Sequence, residues 1–145
     1  MNNLDDFKLF YQLDTQNMLG EINGLSAQLE LAWDLGNQYP LPEVRDIRQV
    51  VVAGMGGSAI GADLLGAYYE PIGRVPYFVL RDYTLPAWAK SKNTLVIASS
   101  HSGNTEETLS VVEQAMEADC SVAVLCTGGK LAELAEANRI PLWRF

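Results

Sequence analysis

The chain reads as a doubly wound α/β domain, a five-stranded parallel sheet in a three-layer sandwich, preceded by a helical lead-in. Three observations predict it. Short apolar runs rich in β-branched residues recur at near-regular intervals, at 50–53, 77–80, 95–99, 121–126 and from 140 onward. Helical patterns fill most of the gaps, although 68–76 is turn-rich. Two of the runs lead into turns that carry both glycine and serine, and strand-to-helix alternation of this kind implies a sheet covered on both faces.

The first forty residues differ from the rest. Met18, Ile22, Leu25, Leu29, Ala32 and Trp33 recur at helical spacing, with Asp14 and Asn17 among the cap candidates before them. A shorter helix is expected over 4–11, and Gly36 to Pro42 reads as the loop that ends the lead-in. The expected division is a helical lead-in at 1–40 and an α/β domain at 41–145. No internal repeat or low-complexity segment interrupts it.

At 145 residues and 48% hydrophobic content the chain can bury a sizeable core, since a domain near this size hides roughly 70% of its unfolded surface. The formal charge of −8 argues against nucleic acid and anionic membrane as partners and leaves no general attraction for phosphate. Any anion must be held locally, by oriented amides and hydroxyls. Cys120 and Cys126 bracket one expected strand, about 20 Å apart when extended, too far for a disulfide. Neither has metal-ligand spacing to a histidine or second cysteine, so no metal is expected. Reduced thiols imply a cytoplasmic location. No stretch reaches the length of a membrane span, and Asp5 and Asp6 close to Met1 do not suit a signal peptide.

The two turns carry the chemistry. Ser99-Ser100-His101-Ser102-Gly103-Asn104-Thr105 follows the strand at 95–99 and precedes a helix whose apolar positions are Leu109, Val112, Ala115 and Met116. A helix N-terminus leaves backbone N–H groups unpaired and concentrates about half a positive charge, which favours an anion. Ser100, Ser102 and Thr105 add neutral donors, and Gly103 permits close backbone approach. Upstream, Gly54-Met55-Gly56-Gly57-Ser58 follows the first strand and precedes an apolar helix through Ala62, Leu64 and Leu65. Ser100 and Ser102, two apart at a strand end, are expected to point to the same side.

Other readings stand beside this one. Gly54, Gly56 and Ala59, with Asp82 as ribose ligand, fit the dinucleotide fingerprint. Ser102, Asn104 or Thr105 can simply cap the helix, with Glu107 completing a capping-box-like pair with Asn104. A dinucleotide needs one pyrophosphate turn, whereas a terminal phosphate monoester can be gripped from two. With strand order 2-1-3-4-5, assumed from the fold class, both turns meet at the switch point where open α/β sheets bind ligands.

Gly54 to Ser58, Ser100 to Thr108 and Thr127-Gly128-Gly129-Lys130-Leu131-Ala132-Glu133-Leu134-Ala135 together resemble the sugar isomerase (SIS) domain, and within it the bifunctional phosphoglucose/phosphomannose isomerases. The resemblance covers nearly everything from Leu41 onward. It implies a flavodoxin-like fold and a hexose 6-phosphate substrate, with Ser58, Ser100, Ser102 and Thr105 on the phosphate. Backbone around Gly56, Gly57 and Gly103 completes the candidate site. His101 stands where the family more often has an aromatic, commonly tyrosine. The resemblance also implies a longer protein with a second such domain in tandem and catalytic residues beyond Phe145, so that this chain is the first half, paired with a tandem domain or a second copy. The alternative from a different class is a non-catalytic module that senses a phosphosugar.

Aldose–ketose isomerisation needs a base to move a proton between C1 and C2, and a group that opens the ring. No cofactor is expected. His101 beside a bound phosphate suits binding or packing better than proton transfer. Glu106 and Glu107 fall on a first helical turn, where carboxylates complement the dipole. Asp63 and Asp82 have no assigned role, and the catalytic residues are left unidentified.

Overall fold

The computed structural model describes residues 7–39, 44 and 46–145. The chain divides into two compact units, Met1–Pro40 and Leu41–Phe145. The expected junction at residues 40 and 41 lies outside the described residues, as do residues 4–6 of the first expected helix.

The first unit holds helices α1 (Phe7–Leu13) and α2 (Met18–Gln38). Asp14 starts α2 from a distance: its two carboxylate oxygens accept the Met18 and Leu19 N–H groups, each at 2.7 Å. A carboxylate there also complements the positive end of the helix dipole. The helix runs through the loop expected at Gly36 and ends only at Gln38. Asn37 Nδ2 donates to the Trp33 carbonyl at 3.0 Å, and Tyr39 turns extended at ψ 134°, as a residue before proline must. Helix α2 has no buried residue and exposes Met18, Ile22, Leu25, Leu29 and Trp33.

In the second unit strand and helix alternate: β1 (Gln49–Ala53), α3 (Gly56–Tyr69), β2 (Tyr77–Leu80), β3 (Thr94–Ser100), α4 (Glu106–Glu117), β4 (Ser121–Cys126), α5 (Gly129–Asn138) and β5 (Leu142–Arg144). The strands form one parallel sheet in the order β2-β1-β3-β4-β5. That is the expected order, and helices cover both faces.

Side-chain alternation decides which face is core. In β3, Thr94, Val96, Ala98 and Ser100 are buried while the residues between them are half-buried. Val96 and Ala98 join Val51 and Ala53 of β1 and Val124 and Cys126 of β4 on the face that meets Val111, Val112 and Ala115 of α4 and Leu131, Ala132 and Ala135 of α5. Each of the larger side chains contributes roughly 1.5–3 kcal/mol by leaving water. Helix α3 packs with Ala59 and Ala62 buried, and the Tyr77 hydroxyl donates to the Ala62 carbonyl at 2.8 Å. Burial pushes the Tyr77 phenol pKa up, with the nearby Asp63 charge adding to it. Cys120 and Cys126 are free thiols, and burial raises both pKa values.

Candidate functional site: paired strand-to-helix turns

The tips of β1 and β3 are neighbours, so the turns that follow them meet. After β1 the chain closes quickly into helix. The Met55 carbonyl accepts the N–H groups of Ser58 at 3.1 Å and Ala59 at 3.3 Å. Helix α3 therefore opens at Gly56, earlier than the glycine run suggests, and places Gly57 and Ser58 in its first turn. Gly54 is required by proximity, since a Cβ there would lie 2.8 Å from the Ser99 carbonyl oxygen.

The second turn folds around Ser100. Its buried hydroxyl accepts the Gly103 N–H at 3.1 Å and lies 2.8 Å from Thr105 Oγ1. Thr105 occupies the N-cap position of α4 but makes no side-chain cap bond. Asn104 spends its amide on Ser102 O and its oxygen on the Lys130 N–H, at 3.0 and 3.2 Å. The capping alternative thus has no hydrogen bond to carry it. Ser102 Oγ accepts the Asn104 N–H at 3.2 Å. The expected same-side pairing of Ser100 and Ser102 does not hold. The strand ends at Ser100, so the two-residue alternation stops there, leaving Ser100 buried and Ser102 exposed.

Gly57, Ser58, Ser102 and Thr105 come together, lining one open groove of about 820 Å³ with Met55, Ser99 and His101. Gly56, Ser100 and Gly103 are in the same turns but do not line it. The His101 N–H donates to Ser58 Oγ at 3.3 Å. Because a hydroxyl has one proton and two acceptor sites, this bond leaves the Ser58 proton free for a ligand. The same holds at Ser102. The groove walls are otherwise apolar, with Val52, Leu65, Ile97, Leu125 and Phe145 among them, and the His101 ring meets Phe145 edge to face at 5.7 Å between centroids.

No lysine, arginine, aspartate or glutamate side chain lines this groove among the described residues, and the starts of α3 and α4 lie beside it. The carboxylates nearby are occupied elsewhere. Glu107 first, then Glu106, raise the pKa of the Tyr83 phenol. Asp63 pairs with Arg81, and Asp82 Oδ1 accepts the Thr84 N–H at 3.2 Å in a local turn. Among the described residues no three His, Cys, Asp or Glu side chains gather as a metal site.

Sequence reasoning used the third turn only for the family resemblance and gave it no part in the site. Thr127 Oγ1 and Thr127 N–H both donate to the His101 carbonyl, at 2.6 and 3.1 Å, and the Leu131 N–H donates to Gly103 O at 2.9 Å. The signal was the Thr127-Gly128-Gly129 run after β4, a strand-to-helix turn like the other two.

Fold and paired turns define a doubly wound α/β domain in which two glycine- and serine-bearing turns meet at the switch point of the sheet. Residues 43–141 match the SIS domain family, and the chain belongs to it. It is 44% identical over 122 residues to a bifunctional phosphoglucose/phosphomannose isomerase of Caldicellulosiruptor bescii, covering 83% of this chain and 36% of that protein. The enzyme of the same name from Thermoplasma acidophilum is 42% identical over 93 residues, 63% of this chain and 29% of the relative. The chain thus spans about a third of the length of these curated relatives. Among solved structures, the Vibrio vulnificus NanR protein complexed with ManNAc-6P superposes with a TM-score of 0.62 at 22% identity, covering 96% of this chain and 56% of that one. That likeness is one of fold.

Proposed function

We propose that the paired turns bind the phosphate of a hexose 6-phosphate, and that the chain is the phosphosugar-binding domain of an aldose–ketose isomerase acting on glucose 6-phosphate or mannose 6-phosphate and fructose 6-phosphate. The observation that carries this reading is the convergence of Ser58, Ser102 and Thr105 on one groove that no lysine or arginine lines among the described residues, with the hydroxyl protons of Ser58 and Ser102 free. Hydroxyls of these three residues and the Gly57 amide hold the phosphate, while Ser100 fixes Thr105 and the Gly103 N–H from behind. The names of the relatives supply the substrate class and the reaction.

The reaction moves one proton from C2 to C1 and one from O2 to O1 within the sugar, with no net oxidation, and needs no redox cofactor. With no aspartate or glutamate side chain among the described groove-lining residues, the base comes from outside this groove, from a tandem domain or a second copy. The exposed stripe of α2 suits a homodimer, and the free thiols of Cys120 and Cys126 suit the cytoplasm.

Titration calorimetry with glucose 6-phosphate, mannose 6-phosphate and fructose 6-phosphate tests the binding claim. Binding of at least one, weakened by Ser102→Ala, is the expected result. Heat from none of them would sink it. A second reading, a phosphosugar sensor without catalysis, draws on the likeness in fold to NanR. It predicts the same binding, with no turnover even when the chain is combined with every other part of the full protein.

A further inference from the structure

The backbone of His101 is held on both sides by neighbouring turns, its N–H by the first and its carbonyl by the third. The His101 N–H reaches Ser58 Oγ in the first turn, at 3.3 Å. The His101 carbonyl, in the peptide that carries the Ser102 N–H, takes two donors from the third turn, Thr127 Oγ1 at 2.6 Å and Thr127 N–H at 3.1 Å. A trans peptide is planar, so its N–H points opposite to its C=O. Fixing the carbonyl on Thr127 therefore aims the Ser102 N–H away from Thr127. That N–H makes no hydrogen bond among the described residues, and Ser102 is exposed and lines the groove.

From this geometry we infer that Thr127 is a positioning residue, holding the His101–Ser102 peptide so that the Ser102 N–H donates to the bound phosphate. The inference rests on the phosphate reading above and adds a donor and its support to it. Two donors on one carbonyl also polarise the peptide, which strengthens its N–H as a donor in turn. The threonine touches no ligand. Its hydroxyl acts through the peptide, and its own N–H keeps the carbonyl satisfied if the hydroxyl is lost. Thr127→Val should therefore fold, keeping the β-branched shape at an exposed position.

The test uses glucose 6-phosphate as probe, with calorimetry and amide NMR on the wild type, Thr127→Val and Thr127→Ser. In the wild type, saturation should move the Ser102 amide proton strongly downfield. Thr127→Val should reduce affinity by about two- to tenfold and shrink that shift. Thr127→Ser, which restores the hydroxyl, should recover both. Wild-type affinity in Thr127→Val would overturn the positioning role while leaving the phosphate site intact. A Ser102 amide unmoved at saturation in the wild type would overturn it without any variant, even if Thr127→Val does not fold. Absence of wild-type binding would remove the phosphate reading and this inference with it.

Discussion

Gly103 sits so close to Gly128 that a Cβ built on it would lie 1.7 Å from the Gly128 carbonyl oxygen, and its φ of +66° belongs to the left-handed region. The second and third turns are in backbone contact at this point, with no room for a side chain. Gly103→Ala meets both penalties, steric and conformational. It should destabilise the fold by at least about 2 kcal/mol and weaken phosphosugar binding as the Ser100–Thr105 turn is pushed aside. Urea denaturation measures the first effect; a loss below about 0.5 kcal/mol, within the usual scatter of surface changes, would contradict the contact.

Ser102→Ala removes a donor from the groove. Hydrogen bonds to charged groups contribute roughly 1.5–3 kcal/mol, so affinity for a hexose 6-phosphate should fall about 10- to 150-fold. Stability should barely change, because the Ser102 hydroxyl makes only a local bond to Asn104 N–H. Glucose 6-phosphate at about a hundred times the wild-type dissociation constant should add roughly 2.7 kcal/mol to the wild type and much less to the variant. An unaltered dissociation constant, with a stability loss of about 1 kcal/mol, would return Ser102 to a purely structural role.

The contrasting variant is Ser100→Ala. Its hydroxyl is buried and serves both Gly103 N–H and Thr105 Oγ1, so removing it should lower stability by about 1–3 kcal/mol as well as affinity. Thermal melts run beside calorimetry separate the two serines. Equal stability loss in Ser100→Ala and Ser102→Ala would show that their different burial has no consequence.

The chain on its own should bind hexose 6-phosphate without isomerising it. His101 and Tyr77 are the only titratable side chains lining the groove among the described residues, and the Tyr77 hydroxyl is engaged with the Ala62 carbonyl. A coupled assay of fructose 6-phosphate formation reads this directly. Substantial turnover by the purified chain would make His101 the candidate base, to be checked with His101→Gln.

Self-association is expected through α2, whose Met18, Ile22, Leu25, Leu29 and Trp33 are all exposed. Light scattering should find a dimer at micromolar concentration, and Ile22→Glu with Leu29→Glu should return it to monomer. A wild type that stays monomeric, or a dimer untouched by the paired substitution, would exclude this surface.

Local pattern alone determined most of the architecture. Apolar runs at 77–80 and 121–126 became β2 and β4 with the same bounds, because strands of a helix-covered parallel sheet read as continuous apolar runs. The family emerged from glycines and hydroxyls whose spacing is itself backbone chemistry. Pattern failed where a residue's partner lies far along the chain. Glycines 56 and 57 looked like loop, yet the Met55 carbonyl draws them into α3. Ser100 and Ser102 looked equivalent, and the end of the strand separated a buried support from an exposed donor. Thr127 is 26 residues from His101, and only the pairing of β4 beside β3 brings its hydroxyl to that carbonyl. The hydroxyl and glycine set of the candidate site is local and therefore legible in the sequence, whereas its orientation depends on contacts among three turns that the sheet order alone makes neighbours.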